Sequence, residues 1–207
     1  MKMTQLSIIA SGLFMLSAAT VQAQDKVAPA KDAHAQKDMQ ARMTKAKAAG
    51  KPSAHHAVLK ALAGDWTVKN TVWMHPGAKP QVSTGTSSIA WTLGGRFLRQ
   101  DFKGSWGTET FEGLGYLGYD NVKKAYVSIW MDNMSTGIVE GSGTYDGATK
   151  TLRDSGTYSC PFSGEKEKWY RAEWKIVGKN ALTYTMYTKD PSGKEFKSME
   201  IRYKRST

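Results

Sequence analysis

The stretch KWYRAEWKIVGKNALTYTMYTKD, residues 168–190, decides the fold class. Apolar and polar residues alternate on both sides of Gly178, which is the period-two pattern of strands that bury one face. The Gly-Lys-Asn sequence in the middle is a tight-turn signal. One face of the first segment carries Arg171, Glu173 and Lys175, so this face is suited to water and not to lipid. The stretch therefore predicts a β-hairpin with one buried and one solvated face.

The same alternation recurs from Trp66 to the end of the chain, interrupted by turn residues at short, even intervals. Even spacing of short strands indicates an antiparallel sandwich or an up-and-down barrel, and closing a barrel removes exposed sheet edges. We therefore predict an all-β fold, a ten-stranded antiparallel up-and-down barrel. The predicted strands cover residues 66–74, 81–91, 96–103, 110–119, 125–132, 137–145, 151–160, 168–177, 181–189 and 195–204.

The N terminus has the composition of a secretory signal peptide. Lys2 supplies the positive start, an apolar segment covers residues 6–19, and Val21-Gln22-Ala23 places small residues at a cleavage position. The apolar segment is shorter than the roughly 18–20 residues that span a bilayer. We predict a signal peptide over residues 1–23, cleavage after Ala23, and a mature protein that is periplasmic or secreted without stable membrane insertion.

Aromatic residues mark where the folded domain begins. Of 22 aromatic residues, 21 lie at or after Trp66. Residues 24–54 have none, so this segment is predicted to be a flexible or partly helical tail. The barrel domain is predicted over residues 55–207, and it opens with a short helix between Ser53 and Gly64, which suit an N-cap and a C-terminal position.

Charge and cysteine content exclude several classes of protein. The net charge is +11, but no zinc-finger, heptad or basic-aromatic module is present, so no nucleic-acid partner is predicted. Cys160 is the only cysteine, which excludes an intramolecular disulfide. Pro161 and Phe162 beside it offer no basic group to activate the thiol, so a packing role is expected.

Two terminal features resemble the calycin, or lipocalin-like, superfamily. Gly64-Asp65-Trp66 follows a short helix and opens the first strand, and Arg205, with Arg202 as the alternative, lies near the end of the last strand. The resemblance implies that Trp66 closes one end of the barrel and that Arg205 stacks across the indole, a favourable cation–π geometry.

A longer resemblance involves four motifs in a fixed order. On these motifs the chain is identified as a member of the bacterial domain of unknown function 1579 family over about residues 55–205. The family is grouped with calycin-like barrels and has no established activity, so the resemblance implies a fold and no catalytic residues. The motifs are HPGAKP (75–80), LGGRFL (93–98), GLGYLGYDN (113–121) and WMDNMSTG (130–137).

The histidines do not form a metal site. His34, His55, His56 and His75 lack the spacing of paired ligands, and no cysteine cluster accompanies them. Haem-binding barrels of similar shape use a histidine late in the chain, whereas His75 is the last one here. We therefore predict no metal and no cofactor.

Catalysis is the less favoured interpretation but stays open. No nucleophile elbow is present, and the glycines of GLGYLG lie along a strand, where close backbone approach explains them better than phosphate binding. A carboxylate pair could form across the barrel, and no catalytic residue is assigned. The carboxylates that could approach each other are Asp101, Glu112, Glu140 and Asp154.

The loop at residues 130–136 has two interpretations. Its polar side chains favour a rigid, self-capped turn, and its Trp130 and Met134 could line a barrel mouth. At most one of Arg96 and Arg99 can point inward, where it would anchor an anion. The predicted ligand-binding residues are Trp91, Arg96, Phe97, Tyr119, Trp130, Asp132, Met134, Tyr184 and Met186.

The preferred function is an exported barrel that binds a small apolar or amphipathic molecule. One alternative is a ligand-free barrel that acts as an envelope interaction or structural protein. The other alternative is an enzyme that uses carboxylates in the lumen. Lumen volume separates the first two, because small barrels can be filled by their own side chains.

Overall fold

The computed structural model describes residues 29–206. The predicted signal peptide, residues 1–23, lies outside the described residues. Helix α1 covers Pro29–Ala49, within the segment predicted to be a flexible or partly helical tail. Met39 and Met43 are exposed on α1, which is polar on all sides and therefore has no face to bury. No helix in the described part of the chain has the length and apolar character needed to cross a membrane.

The chain divides after Met43 into two compact units, and the barrel belongs to the second. Before the first strand, helix α2 covers Ala54–Val58 and continues into a 3₁₀ turn at Leu59–Ala61. The Ser53 backbone N–H donates to His56 Nδ1 at 3.0 Å, which caps the first turn of α2. Burial, followed by the neighbouring charges of His55 and Arg96, lowers the pKa of His56. His56 therefore has a structural role.

Ten antiparallel strands form a closed barrel, which confirms the predicted fold class. Each strand pairs with its sequence neighbours, and β1 pairs with β10 to close the sheet, so no edge is left open. The strands are β1 (Gly64–Val72), β2 (Gln81–Thr92), β3 (Phe97–Trp106), β4 (Glu109–Asp120), β5 (Ala125–Asp132), β6 (Val139–Asp146), β7 (Thr151–Tyr158), β8 (Lys168–Gly178), β9 (Ala181–Lys189) and β10 (Glu195–Arg205).

Two predicted strand ends were wrong because turns begin earlier than the alternation indicates. β1 ends at Val72, and Met74 lies in the following loop, where Gly77 adopts a positive φ of 76°. β7 ends at Tyr158, because the Cys160 carbonyl accepts a hydrogen bond from the Gly164 N–H at 2.9 Å and starts a turn.

The barrel interior is built from alternate residues of every strand. Inward side chains of β1, such as Val68, and of β10, such as Tyr203, are buried and sit in register across the closing pair. The buried apolar core consists of Leu59, Leu62, Trp66, Val68, Ile89, Leu98, Phe102, Tyr126, Leu152, Leu182, Ile201 and Tyr203. Many of these residues lie towards the end of the barrel where β1 begins, so the other end is left to form a cavity.

Candidate functional site

One end of the barrel is closed by a tryptophan plug. Trp66 is 1% exposed, and its Nε1 donates to the Leu62 carbonyl at 3.0 Å. The Arg205 guanidinium carbon lies 4.1 Å from the indole centroid, and Nη1 donates to the Ala63 carbonyl at 3.1 Å. The guanidinium thus covers the plug and ties the last strand to the chain that precedes the first. We call this closed end the floor.

Above the floor lies a cavity of about 640 Å³ that opens at the other end of the barrel. This size falls within the range of small-molecule sites, and the lining is mainly apolar. We call the open end the mouth, and it is formed by the five loops at residues 73–80, 107–108, 133–138, 159–167 and 190–194. The apolar wall includes Phe102, Phe111, Trp130, Trp174, Met186 and Met199.

The glycines of the GLGYLG motif make room for an indole. A Cβ on Gly113 would lie 2.1 Å from Trp130 Cζ2, and one on Gly115 would lie 3.1 Å from Cε3. Trp130 therefore lies flat on the backbone of β4, with its Nε1 donating to Asp132 Oδ2 at 2.9 Å. The ring forms one wall of the cavity, and the predicted close backbone approach is what these glycines provide.

The loop that follows Trp130 is both rigid and part of the mouth. Asp132 Oδ1 accepts the Met134 N–H at 3.0 Å, and Asn133 is bonded to the start of β4 through Glu112 N–H and the Thr110 carbonyl. Met134 and Asp132 also line the cavity. The two interpretations of this loop therefore hold together, since self-capping fixes the residues that face the opening.

A second mouth loop extends over the opening. The Phe162 ring, which is 63% exposed, lies 6.1 Å from the Trp106 ring at the end of β3. β3 and β7 are four strands apart in the closed sheet, so the loop after β7 crosses part of the mouth to make this contact. Phe162 and Trp106 both line the cavity entrance.

Three oxygen atoms meet on the lumen wall above Gly141. A Cβ on this glycine would lie 2.4 Å from the Tyr170 hydroxyl, 2.6 Å from Asp154 Oδ2 and 2.6 Å from Ser128 Oγ. Ser128 Oγ donates to Asp154 Oδ2 at 2.6 Å. We call Asp154, Ser128 and Tyr170 the polar cluster. Only a residue without a side chain leaves space for it on β6.

The carboxyl group of the polar cluster is under-satisfied. Asp154 is 8% exposed, and its Oδ1 has no hydrogen-bond partner among residues 29–206. Burial raises the pKa of Asp154 above its usual value, and this effect outweighs the hydrogen bonds from Ser128 and from the Asp154 backbone. Burial is also the largest cause that raises the pKa of Tyr170 and of Tyr184, and in both the negative charge of Asp154 is the next.

A second unpaired acceptor lies across the lumen. Asn70 Oδ1 on β1 is buried without a partner, and Asn70 lines the cavity. β1 and β7 are four strands apart in the ten-stranded barrel, so Asn70 and Asp154 belong to nearly opposite walls. Buried acceptors in proteins are normally paired with protein groups or ordered water, so these two atoms are unusual features of the cavity wall.

Aromatic rings surround the polar cluster. Tyr158 and Tyr170 meet edge to face with centroids 6.1 Å apart, and Tyr184 packs on Trp174 at 4.9 Å. All four rings line the cavity, together with Tyr203, whose hydroxyl accepts a hydrogen bond from Gln100. The lumen therefore presents ring faces and one carboxyl group in the same region.

Basic side chains among the lining residues stay at the mouth. Lys168 Nζ is paired with Glu165 at 2.7 Å, and Lys189 Nζ lies 4.9 Å from the centroid of the Trp169 ring. His75 lies in the loop after β1, with Nδ1 3.1 Å from the Pro76 carbonyl. None of them contributes to the pKa shift of Asp154.

Five of the residues predicted to bind ligand line the cavity. Trp130 and Met134 lie at the wall and the mouth as described, and Tyr184 lies near the polar cluster. The full set is Trp130, Asp132, Met134, Tyr184 and Met186.

The other four predicted lining residues lie elsewhere. Phe97 is on the outer face, because Leu98 takes the inward position, and its ring covers Gly118. Tyr119 points inward but lies at the floor, stacked on His55 with centroids 4.2 Å apart. Trp91 is 36% exposed near the end of β2, and Arg96 lies in the next turn, donating to the Leu93 carbonyl.

The predicted anion anchor and the carboxylate pair are also corrected. Arg99 pairs with Asp101 on the outer face at 2.7 Å, so neither Arg96 nor Arg99 enters the lumen. Glu112 faces Lys103 outside the barrel, and Glu140 is exposed. Of the four carboxylates considered, Asp154 alone lines the cavity. Within residues 29–206 no cluster of His, Cys, Asp and Glu could hold a metal ion.

Cys160 is buried, in keeping with the expected packing role, but the charge of Lys168 also acts on its thiol. Burial raises the pKa of its thiol. Hydrogen bonds from Ser163 and Phe162, together with the charge of Lys168, lower this pKa by a larger amount, so the net shift is downward. These donors belong to the turn that Cys160 starts. Lys168 comes from the next strand, a proximity that the flanking sequence could not reveal.

The polar cluster was not predicted as a group, although Asp154 was named among the candidate carboxylates. One signal was present, because Asp154 shares the parity of Leu152 on a predicted strand and so occupies an inward position. Ser128 and Tyr170 also have inward parity, but their convergence depends on pairing across β5, β6, β7 and β8.

Solved structures share this barrel. Rv2717c from M. tuberculosis matches with a TM-score of 0.54 and 16% identity over 72% of this chain and 98% of that protein. The S-type phycobiliprotein lyase CPES from Guillardia theta matches with a TM-score of 0.53 and 11% identity over 78% of this chain and 97% of that protein. These likenesses support the calycin-like fold. No functionally curated protein shows significant sequence similarity to the chain.

The family assignment rests on most of the chain. The model of the family described as "Protein of unknown function (DUF1579)" matches residues 51–205. This range contains the floor, the cavity and all four motifs on which the resemblance was based. The chain belongs to the DUF1579 family.

Proposed function

We propose that this protein is exported and binds a small amphipathic molecule in the barrel lumen. The observation that carries the proposal is the open cavity of about 640 Å³, apolar over most of its wall and polar at two places. A purely structural barrel of this size can fill its interior with its own side chains, and this one does not. The unpaired oxygens of Asp154 and Asn70 give such a ligand points of orientation.

The first test is the mass of the mature protein. Native mass spectrometry of protein purified from the periplasm of its own cells should reveal a stoichiometric extra mass that denaturation releases. N-terminal sequencing of the same sample should begin at Gln24, which tests the predicted export. A bare mass after exposure to periplasmic extract would contradict the proposal and favour a ligand-free envelope protein.

The second test locates binding in the lumen. The neutral dye N-phenylnaphthylamine should become fluorescent on binding to the wild-type protein. Ser83 lines the cavity, whereas Thr84 is exposed on the outer face of β2. We expect Ser83→Trp to fill the lumen and abolish the signal, and the matched variant Thr84→Trp to retain it. Equal binding by both variants would place the dye outside the barrel.

A further inference from the structure

We infer that the lumen ligand carries a positively charged amine, which docks on the Asp154 carboxylate within the polar cluster. The inference rests on the proposed lumen-binding function and adds the chemical class of the ligand's polar end. It is drawn from the geometry around Asp154 and from the charges present in the lumen.

The Asp154 carboxyl group has no positively charged partner among residues 29–206. Asp154 receives one side-chain hydrogen bond, from Ser128, and its Oδ1 receives none. A buried carboxyl group in a protein is normally paired with a cation or fully hydrogen-bonded. The basic side chains that line the cavity lie at the mouth and are engaged with Glu165, Trp169 and Pro76. Within residues 29–206 no side chain therefore supplies this cation, and a ligand amine would supply it.

The polar cluster offers several hydrogen-bond acceptors to one ligand group. Asp154 Oδ2, Ser128 Oγ and the Tyr170 oxygen lie close to one another beside Gly141. A primary ammonium group has three N–H donors and no acceptor, so it can satisfy several of these oxygens at once. A ligand hydroxyl has one donor, and a ligand carboxylate would oppose the charge of Asp154.

Tyrosine rings line the cavity near the polar cluster. Tyr158, Tyr170 and Tyr184 line the same part of the lumen. The faces of aromatic rings attract cations, and sites that combine them recognise ammonium groups. The remaining wall, with Trp130 and Met186, is apolar and suits a hydrocarbon or aromatic body. The lumen as a whole therefore fits a cationic amphiphile.

The experiment compares three probes with the same chain and different head groups. Decylamine, decanol and decanoate are titrated against protein loaded with N-phenylnaphthylamine, and displacement gives each affinity. We expect decylamine to bind tightest to the wild type. Asp154→Asn should weaken decylamine by about tenfold to a hundredfold, the range of a charge-assisted hydrogen bond, and change decanol little. The matched control Glu140→Gln removes an exposed carboxylate from β6 and should change neither.

A second variant keeps the experiment informative if Asp154→Asn does not fold. Tyr170→Phe keeps the ring and removes the hydroxyl, and it should weaken decylamine by about twofold to tenfold while sparing decanol. Circular dichroism and decanol binding report whether each variant is folded.

The outcomes separate the two proposals. If decanol or decanoate binds the wild type as tightly as decylamine, the inferred amine is wrong and lumen binding stands. If Asp154→Asn retains the decylamine affinity, the amine does not dock at the polar cluster. If neither the dye nor any of the probes binds, the proposed function itself fails.

Discussion

Replacing Gly113 with alanine tests how the cavity wall is built. The new Cβ would lie 2.1 Å from Trp130 Cζ2 and 2.5 Å from Cη2, far inside the roughly 3.5–4.0 Å of a carbon contact. Gly113 has no positive φ, so the backbone itself accepts alanine. The conflict is therefore with the indole alone, and Trp130 has to leave the surface of β4.

The expected effect follows from two opposing contributions. Overpacking of a filled position destabilises by about 1–3 kcal/mol. Gly→Ala reduces the entropy of the unfolded chain, which offsets about 0.4–1 kcal/mol. The 2.1 Å approach is a severe overlap, so the upper part of the overpacking range applies. We expect a net loss of about 1–2.5 kcal/mol, which lowers the melting temperature by about 2–10 °C in a domain of this size. The displaced ring should also weaken dye binding, because it enters the lumen.

Thermal unfolding of the wild type and four variants checks this prediction. Gly178→Ala is the control, because a Cβ there meets no atom within 4 Å and the φ is not positive. In the Trp130→Leu background, Gly113→Ala should no longer destabilise, which isolates the coupling between the two positions. An unchanged or raised melting temperature for Gly113→Ala alone would refute the stacking of Trp130 on this glycine.

Three more predictions concern the floor, the polar cluster and the mouth. Arg205→Ala should lower the free energy of unfolding in urea by about 1–3 kcal/mol, because it removes the cation above Trp66 and its hydrogen bonds. Burial raises the folded pKa of Asp154 above the unfolded value of 3.8, so its ionisation destabilises the fold as pH rises from that value through the folded pKa. Asp154→Asn should therefore be more stable than wild type at neutral pH and lose this advantage below pH 3.8, measured by urea unfolding at both pH values. Phe162→Ala removes the contact with Trp106 across the mouth and should speed dye release in stopped-flow fluorescence without changing the melting temperature.

The barrel could be predicted from the sequence because alternation does not depend on which strands pair. Tyr170, Ala172 and Trp174 face inward as their parity indicates, and β9 follows the same rule. β10 follows it from Met199 onwards, because a β-bulge between Lys197 and Met199 shifts the alternation. Strand ends were less certain, since a turn such as the one at Cys160 is set by backbone hydrogen bonds. The order of the strands followed from short connections.

Parity also failed where two apolar residues are adjacent. In β3 both Phe97 and Leu98 could have faced the lumen, and a shift of one residue exchanges the faces of the whole strand. Depth along the barrel axis is a separate unknown. Tyr119 has inward parity, yet it lies under His55 at the floor, because the register of the pairing and the position of α2 decide its height. Predicting the polar cluster would have required both the inward or outward face of each residue and its depth along the barrel axis.

The contrast between floor and wall supports the assignment of roles. At the floor, Trp66 and Arg205 find their hydrogen-bond partners, and Trp66 is almost fully buried. On the wall, Asp154 retains an unpaired oxygen and Gly141 replaces a side chain that would have filled the space. Such a wall destabilises the empty barrel, since an unpaired buried polar group costs about 1–3 kcal/mol and an interior strand glycine weakens pairing. Residues that destabilise the fold in this way are found mainly at functional sites. Because an apolar side chain at position 154 would have removed the penalty, the carboxylate favours the proposed ligand binding over a purely structural role.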